Sequence, residues 1–159
     1  MQPFQFQSRI WLARPIAEVF QFFSDAKNLQ QITPPLLDFR VTAMSTERIE
    51  SGTRIDYKLK IRGFPVRWQS EITEWEPPHR FVDRQLRGPY ALWLHEHRFR
   101  AQDGGTQCED VVRYLPPGGV LLAPAINRIF VARDVERIFA YRRQRLQEIF
   151  PSSRGLDKP

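Results

Sequence analysis

The residues of this chain best suited to chemistry are two histidines, His95 and His97, which lie between Trp93 and Phe99. Side chains alternate between the two faces of a β-strand, so all four share one face if this segment is a strand. Imidazoles set among aromatic side chains are typical of a packed core or of the wall of a ligand pocket. The segment therefore predicts an aromatic wall that carries titratable groups.

Two carboxylates are predicted to join these histidines. The turn residues at 103–105 (DGG) predict a hairpin, and alternation on its second strand points Asp110 inward. A turn over the first two of these residues sets His97 directly opposite Asp110, whereas a turn over the last two makes them diagonal neighbours. The preceding strand points Asp83 inward near His95 by the same alternation. The candidate catalytic residues are therefore His95, His97, Asp110 and Asp83.

This cluster has three interpretations. The histidines and carboxylates can neutralise each other as a buried structural group, which is the usual state of a buried histidine. They can instead be the polar anchors of an apolar pocket and orient a carbonyl, hydroxyl or carboxylate of a ligand. Alternatively, they can do chemistry, either as a histidine acid/base oriented by a carboxylate or as a metal site of two histidines and one carboxylate.

Several classes of site have no support in the sequence. The His-x-His pair has no third metal ligand at a diagnostic spacing, so we expect no bound metal and no cofactor. The chain contains neither a glycine-rich phosphate loop nor a serine in a nucleophile-elbow motif. The single cysteine, Cys108, points inward by alternation and is expected to be an unreactive core thiol.

The composition predicts one globular domain with more aromatic surface than its core needs. A chain of 159 residues with 42% hydrophobic residues can bury a sizeable core, which we assign to residues 1–150, with a flexible tail at 151–159. Aromatic residues make up 13% of the chain, so part of that surface can face a cavity. The net charge of +6 comes from arginines spread over the whole sequence, which favours a solvated basic surface over a nucleic-acid site.

The same features give expectations about location and partners. One cysteine allows no intramolecular disulfide, and the first residues lack the pattern of a signal peptide, so we expect a cytoplasmic protein. No apolar run reaches the length of about 20 residues that a spanning helix needs, so stable membrane insertion is not expected. We expect no nucleic-acid partner, a small hydrophobic molecule as ligand, and a monomer or homodimer. A further possibility is that the arginine-rich outer face of the sheet binds an acidic partner. The acidic residues interspersed on that face argue against this possibility.

Periodicity places these residues on a mixed framework. Alternation predicts a strand from Phe4 to Leu12, and Pro15 then predicts the start of a helix that is followed by a second short one. Between residues 38 and 115, turn signals separate about six strands of an antiparallel meander. After residue 119 the period becomes helical up to Phe150, with a break expected at Pro124. The order predicts an α+β fold in which a curved sheet of about seven strands wraps a long C-terminal helix.

Specific segments give this order a family resemblance. They are RPIAEVF at 14–20, DAKNL at 25–29, ITPP at 32–35, PPHRFVD at 77–83, GPY at 88–90, the W-x-H-x-H-x-F pattern at 93–99 and YLP at 114–116. Over residues 4–150 the chain resembles the START and birch-pollen-allergen (SRPBCC) superfamily, in particular its bacterial polyketide cyclase/dehydrase-like branch. The resemblance implies a helix-grip fold that binds an apolar or amphipathic molecule, such as a lipid, polyketide or aromatic compound, between the sheet and the last helix. The alternative that it implies is an aromatase/cyclase-like or dehydratase-like enzyme acting in the same cavity without a cofactor.

The resemblance also implies which residues border that cavity. They are Phe20, Phe23, Tyr57, Trp68, Phe81, Trp93, Phe99, Tyr114, Ile138 and Phe139, together with the polar residues His95 and His97. Arg142 lies near the inner edge of the last helix, where it can extend to solvent or pair with an anionic head group of the ligand; we expect the first. We favour a binding protein over an enzyme.

Overall fold

Seven antiparallel strands form one sheet in the order β1-β7-β6-β5-β4-β3-β2. The computed structural model describes residues 2–151. The strands are β1 (Phe4–Leu12), β2 (Arg40–Met44), β3 (Arg54–Ile61), β4 (Phe64–Glu76), β5 (Arg80–Arg87), β6 (Leu92–Gln102) and β7 (Gly105–Leu115). On β3, Ile55 and Tyr57 are buried and Arg54 and Lys58 are exposed, so the predicted division into a buried and a wet face is confirmed.

Two short helices follow β1, as predicted. Helix α1 (Ile16–Phe23) begins after Pro15, and helix α2 (Ala26–Leu29) is capped by Asp25, whose side chain accepts a hydrogen bond from the backbone N–H of Lys27 at 2.9 Å. Two turns of 3₁₀-helix at Gln30–Ile32 and Pro35–Leu37 lead to β2. These elements lie over the inner face of the sheet, where Phe20 of α1 packs against Phe81 and Phe99.

The C-terminal segment stays helical over residues 119–149, in place of the break expected at Pro124. Helix α3 (Gly119–Ile126) contains Pro124 and passes through a π-helical turn (Asn127–Val131) into helix α4 (Ala132–Ile149). Pro124 removes one backbone N–H donor within α3, and the helical path continues past it into the π-helical turn. Val135 and Phe139 of α4 pack on Val112 and Tyr114 of β7, which is the grip of sheet on helix that the α+β prediction requires.

The turn between β6 and β7 fixes the register of the candidate site. Gln102 pairs with Gly105, so the loop has two residues, and Asp103 and Gly104 both have positive φ, at 52° and 73°. Such turns match the twist of the two strands they join. His97 consequently faces Asp110 directly, and on the other side of β6 Asp83 of β5 faces His95.

The apolar core has two parts beneath this sheet. One lies under α1 and includes Leu12, Val19, Phe20, Ile72 and Phe99, and the other lies under α4. No helix among residues 2–151 is long and apolar enough to cross a bilayer. Residues 152–159 of the predicted flexible tail lie outside the described residues.

Candidate functional site

A cavity of about 340 Å³ separates the sheet from the helices. Its walls come from strands β3 to β6, from α1 and the turns after it, and from α4. Most of the lining side chains are aromatic or aliphatic, among them Phe22, Phe23, Leu29, Ile32, Leu37, Ile55, Tyr57, Trp68, Ile72, Phe81, Trp93, Ile138 and Phe139. The polar residues Asp83, His95, His97 and Arg142 line the same space.

The structure places ten of the thirteen expected ligand-binding residues on the cavity wall. They are Phe23, Tyr57, Trp68, Phe81, Trp93, His95, His97, Ile138, Phe139 and Arg142. Phe20, Phe99 and Tyr114 do not line the cavity, so the prediction for these three is corrected. Phe20 and Phe99 pack edge to face at 5.5 Å between ring centroids, and Tyr114 lies 5.9 Å from the rings of Phe4 and Trp93. Each points inward, but α1 or neighbouring side chains fill the space in front of it.

The four candidate catalytic residues form one cluster, in which His95, His97 and Asp110 are buried and the Asp83 side chain is 19% exposed. His95 Nε2 lies 2.9 Å from Asp110 Oδ1, and His97 Nε2 lies 3.3 Å from Asp83 Oδ2. Each imidazole also approaches the other carboxylate, at 3.6 Å from His95 Nδ1 to Asp83 and at 3.0 Å from His97 Nδ1 to Asp110. The contact at 3.0 Å is not aligned as a hydrogen bond, since His97 Nδ1 has no hydrogen-bond partner. The two rings lie 3.8 Å apart between centroids.

The two histidines differ in proton affinity. Burial lowers the pKa of His95, and a positive charge on His97 lowers it further, which outweighs the effect of the two aspartates. Burial also acts to lower the pKa of His97, but its contacts with Asp110 and Asp83 outweigh burial and raise that pKa. Of the two imidazoles, His97 is therefore the one that takes up a proton more readily.

The two carboxylates are the negative half of the cluster. Burial acts to raise the pKa of Asp110, but its hydrogen bond with His95 and the close approach of His97 hold that pKa well below its ordinary value. The pKa of Asp83 is lowered against burial in the same way, mainly by its hydrogen bond with His97. The two carboxylates are thus opposed by the guanidinium of Arg142 and by the imidazoles, of which His97 is the more readily protonated.

Arg142 does not extend to solvent, contrary to the prediction. The residue is only 7% exposed, and its Cζ lies 4.8 Å from the centroid of the Phe139 ring. Its Nη1 lies 3.7 Å from Asp110 Oδ1. The attraction between these two charges draws the guanidinium toward the sheet and opposes its tendency to stay hydrated. Nε and Nη1 are both buried and have no hydrogen-bond partner.

Several polar residues of the wall were missed by the sequence analysis, namely Asn28, Thr33, Arg62, Ser70, Asp134 and Arg137, and of these Ser70 lies beside the cluster. Ser70 is 2% exposed, accepts a hydrogen bond from Trp68 Nε1 at 3.0 Å and lies 3.5 Å from Asp83 Oδ1. Strand alternation put Ser70 on the inner face with Trp68, but a serine there gives no signal of its own. Its hydroxyl links the aromatic wall to the carboxylate.

The arrangement suits proton chemistry better than nucleophilic or metal chemistry. Asp83, His95 and His97 offer ligand atoms that lie within 4.8 Å of one another. These groups already bond to each other as acid and base, and the permanent positive charge of Arg142 beside Asp110 disfavours a cation. Burial raises the pKa of the Cys108 thiol to about 12, which leaves it protonated and unreactive at neutral pH.

Comparison with solved structures finds the same fold in proteins of low sequence identity. The Zhui aromatase/cyclase from a Streptomyces species has a TM-score of 0.74 and 17% identity, with 96% of this chain and 98% of that chain covered. A START superfamily protein from Mycobacterium smegmatis has a TM-score of 0.67 and 11% identity over 91% and 98% of the two chains. Major latex-like protein 151 from Panax ginseng has a TM-score of 0.70 and 8% identity over 96% and 100%.

Sequence comparisons define the family. No curated protein sequence matches the chain. The model of the family described as "Polyketide cyclase / dehydrase and lipid transport" matches residues 12–140, which include every strand from β2 to β7 and the first part of α4. The helix-grip fold, the cavity and this match together show that the chain belongs to the polyketide cyclase/dehydrase and lipid transport family, within the START and birch-pollen-allergen type of proteins.

Proposed function

We propose that this protein binds a small hydrophobic or amphipathic molecule in the cavity between the sheet and helix α4. The observation that carries the proposal is a cavity of about 340 Å³ with mainly aromatic and aliphatic walls and one polar cluster. Ligand pockets of proteins typically enclose about 300 to 1,000 Å³ and combine apolar walls with a few polar groups that orient the ligand. The cavity has both properties.

The shape of the wall indicates a flat or extended ligand. Trp68 and Trp93 meet edge to face at 5.4 Å between centroids, and Phe81 stacks on His97 at 4.1 Å. These packed rings are held in place by their neighbours, so they offer fixed apolar faces rather than mobile side chains. A ligand gains affinity by covering such faces without paying to order them.

The first test is native mass spectrometry of the protein as purified, beside the same sample denatured. A non-covalent mass between about 100 Da and 1 kDa, of a size that such pockets hold, would support the proposal. A second test titrates the neutral fluorophore N-phenyl-1-naphthylamine into protein stripped of bound molecules. We expect its fluorescence to rise on transfer from water to the apolar cavity.

A matched pair of variants locates the binding. Ile138 lines the cavity, so Ile138→Trp fills part of it and is expected to weaken fluorophore binding by about tenfold or more, since displaced apolar contacts are worth about 1.5–3 kcal/mol. Ala140 lies on the exposed face of the same helix, so Ala140→Trp adds an indole outside the cavity and is expected to preserve binding. Equal affinities of the wild type and both variants would show that the fluorophore binds elsewhere and would argue against the proposal.

The second candidate is an enzyme that cyclises or dehydrates a polyketide-like substrate. It is favoured by two histidines with opposite pKa shifts, lowered for His95 and raised for His97, whose rings lie 3.8 Å apart on the cavity wall. Such a pair can remove a proton at one atom of a substrate and supply one at another. A synthetic poly-β-ketone thioester, followed by absorbance of an aromatic product, is the assay. Turnover that is retained in a His95→Gln, His97→Gln double variant would exclude this chemistry.

A further inference from the structure

Arg142 is a buried arginine of the cavity wall whose hydrogen-bonding capacity is largely unused. A guanidinium carries five N–H donors and stays protonated in proteins, so its burial is costly unless the donors have partners. Arg142 is only 7% exposed to solvent, yet its Nε and Nη1 atoms have no hydrogen-bond partner. The side chain lines the cavity, so an acceptor that enters the cavity can reach it.

The nearest carboxylate does not satisfy this guanidinium. Asp110 Oδ1 lies 3.7 Å from Arg142 Nη1, which is beyond hydrogen-bond distance. The same oxygen lies 2.9 Å from His95 Nε2 and 3.0 Å from His97 Nδ1, so it is already surrounded by closer nitrogen atoms. Asp110 holds Arg142 near the cavity by charge but leaves its donors available.

The protein around Arg142 shields its guanidinium from water but leaves the N–H groups at the edge of the guanidinium without protein partners. The Phe139 ring covers one face of the guanidinium, with 4.8 Å between Cζ and the ring centroid. Stacking of this kind occupies a face and not the N–H groups, which lie in the plane of the guanidinium. An acceptor with two oxygens can therefore bond to the edge of the group in a setting where such bonds are strong.

We propose that the ligand carries a carboxylate and that its oxygens hydrogen-bond to Arg142 within the cavity. This inference rests on the proposed function, because it names the class of molecule that the cavity binds. The apolar part of the molecule contacts the aromatic walls, and its acid group reaches the polar cluster. The ligand class is thus an aromatic or aliphatic carboxylic acid.

The charges around the site favour one negative charge over two. The polar cluster sets the carboxylates of Asp83 and Asp110 beside Arg142 and the two histidines. A phosphate monoester brings up to about two negative charges at neutral pH, so these carboxylates repel it more strongly than they repel a carboxylate. This repulsion favours the singly charged acid.

The test compares two ligands that differ only in this group, 2-naphthoate and 2-naphthylmethanol, by isothermal titration calorimetry on the stripped wild-type protein. A hydrogen bond to a charged group is worth about 1.5–3 kcal/mol, so we expect 2-naphthoate to bind at least about tenfold more tightly. Equal affinities, or tighter binding of the alcohol, would overturn the inference. Naphthyl phosphate is the third ligand, and tighter binding of the phosphate would also overturn it.

Two variants of adjacent arginines separate a direct bond from a general charge effect. Arg142→Met is expected to reduce the preference for 2-naphthoate over 2-naphthylmethanol to about one, since the charged donors are gone. Arg143 is exposed on the same helix, so Arg143→Met makes the same change in net charge and is expected to keep the preference. A preference that survives Arg142→Met, or that both variants lose equally, would contradict the proposed contact.

Other readouts keep the outcome clear if Arg142→Met folds poorly. Arg142→Lys keeps a positive charge without the planar fork and is expected to give an intermediate preference. The ratio measured on the wild type needs no variant at all. Binding of N-phenyl-1-naphthylamine without a preference for the acid would refute the carboxylate and leave the binding function standing. Absence of binding by every probe would refute both.

Discussion

Strand β6 carries charged clusters on both of its faces, and the two clusters are built in opposite ways. The outer cluster is centred on Glu96, with Arg80 and Arg98 as its partners. The inner cluster consists of His95 and His97 with Asp83, Asp110 and Arg142. Neighbouring residues of one strand thus belong to two separate electrostatic systems.

The outer cluster is complete. Glu96 Oε1 accepts hydrogen bonds from Arg80 Nε at 2.6 Å and from Arg98 Nε at 2.8 Å, and Oε2 accepts one from Arg98 Nη2 at 2.9 Å. Burial acts to raise the pKa of Glu96, but these arginines lower it to about 2. Arg80 also bonds to Glu74 and Glu76. Both oxygens of Glu96 have partners, which is what a stabilising surface network requires.

The inner cluster is incomplete. His97 Nδ1 and two nitrogens of Arg142 are buried without a hydrogen-bond partner, although His97 Nδ1 and Arg142 Nη1 lie near Asp110. Unpaired buried donors reduce stability, so a fold keeps them only when another part of the structure compensates. The comparison teaches that the charged groups on the outer face of strand β6 all have partners, whereas the inner face retains unused donors toward the cavity.

Asp110→Asn is expected to have the largest effect on stability. It removes the negative charge that faces His97 and Arg142, and breaking a buried ion pair from one side typically costs about 3–5 kcal/mol. The free energy of unfolding, measured by urea titration, is the readout. A loss below about 1 kcal/mol, the size of a surface pair, would show that the inner cluster is better hydrated than its burial indicates.

Glu96→Gln is the matched change on the outer face and is expected to cost less. The variant keeps the shape of the side chain but loses bonds to two arginines that can turn to water, with a cost of about 1.5–3 kcal/mol. Urea unfolding beside Asp110→Asn gives the direct comparison. A larger loss for Glu96→Gln than for Asp110→Asn would reverse the ranking of the two faces.

The two faces should also respond to different ranges of pH. Because the pKa of Glu96 is lowered from 4.5 to about 2, the outer cluster contributes stability above pH 4.5 that is lost as pH falls toward 2. The inner histidines respond near their ordinary pKa of 6.5. Below pH 6.5 the unfolded chain protonates His95 more readily than the folded protein does, so the contribution of His95 to stability falls with falling pH. Above pH 6.5 the contribution of His97 is lost as pH rises through the raised pKa of this residue in the folded protein.

We therefore expect the stability contributed by the histidine pair to be greatest near pH 6.5. Urea unfolding of the wild type and of the His95→Gln, His97→Gln double variant from pH 5 to 9 isolates this contribution. A difference in the free energy of unfolding between the two proteins that does not change with pH would contradict the opposite pKa shifts of the two rings.

Arg98→Ala is expected to have the smallest effect. The Arg98 side chain is 46% exposed and Arg80 continues to pair with Glu96, so the loss should be about 0–1 kcal/mol. Thermal unfolding at low and high salt is the measurement, and salt should reduce the difference further. A loss comparable to that of Asp110→Asn would mean that the outer cluster acts as one cooperative unit.

Much of the site followed from the alternation of side chains along strands. Alternation alone placed His95, His97, Asp83 and Asp110 on one wall, and the turn residues offered the register that the structure shows. Alternation states which face a residue occupies but not what covers that face. The family resemblance assigned Phe20, Phe99 and Tyr114 to the cavity for the same inward orientation, but neighbouring elements or other rings pack in front of them.

The position of Arg142 could not be derived in the same way. A helical pattern indicates the side of α4 on which an arginine lies. The direction in which the Arg142 side chain extends depends instead on how near Asp110 lies across the cavity. Long basic side chains usually reach water, and here the carboxylate on the sheet and the ring of Phe139 oppose that tendency. Ser70 was missed for a related reason, since only its partners Trp68 and Asp83 give the hydroxyl a role.

The two-residue turn at Asp103-Gly104 makes the site unusually intolerant of changes in chain length. Surface loops commonly accept insertions, because a longer loop costs little free energy. One added residue that moved this pairing by a single position would turn Asp110 and Cys108 to the outer face and bring Glu109 and Val111 inward. Sequences that keep the histidines but lengthen this hairpin should therefore have lost the aspartate partner. The length of this surface turn thus determines which side chains line a cavity that lies five residues away along each strand.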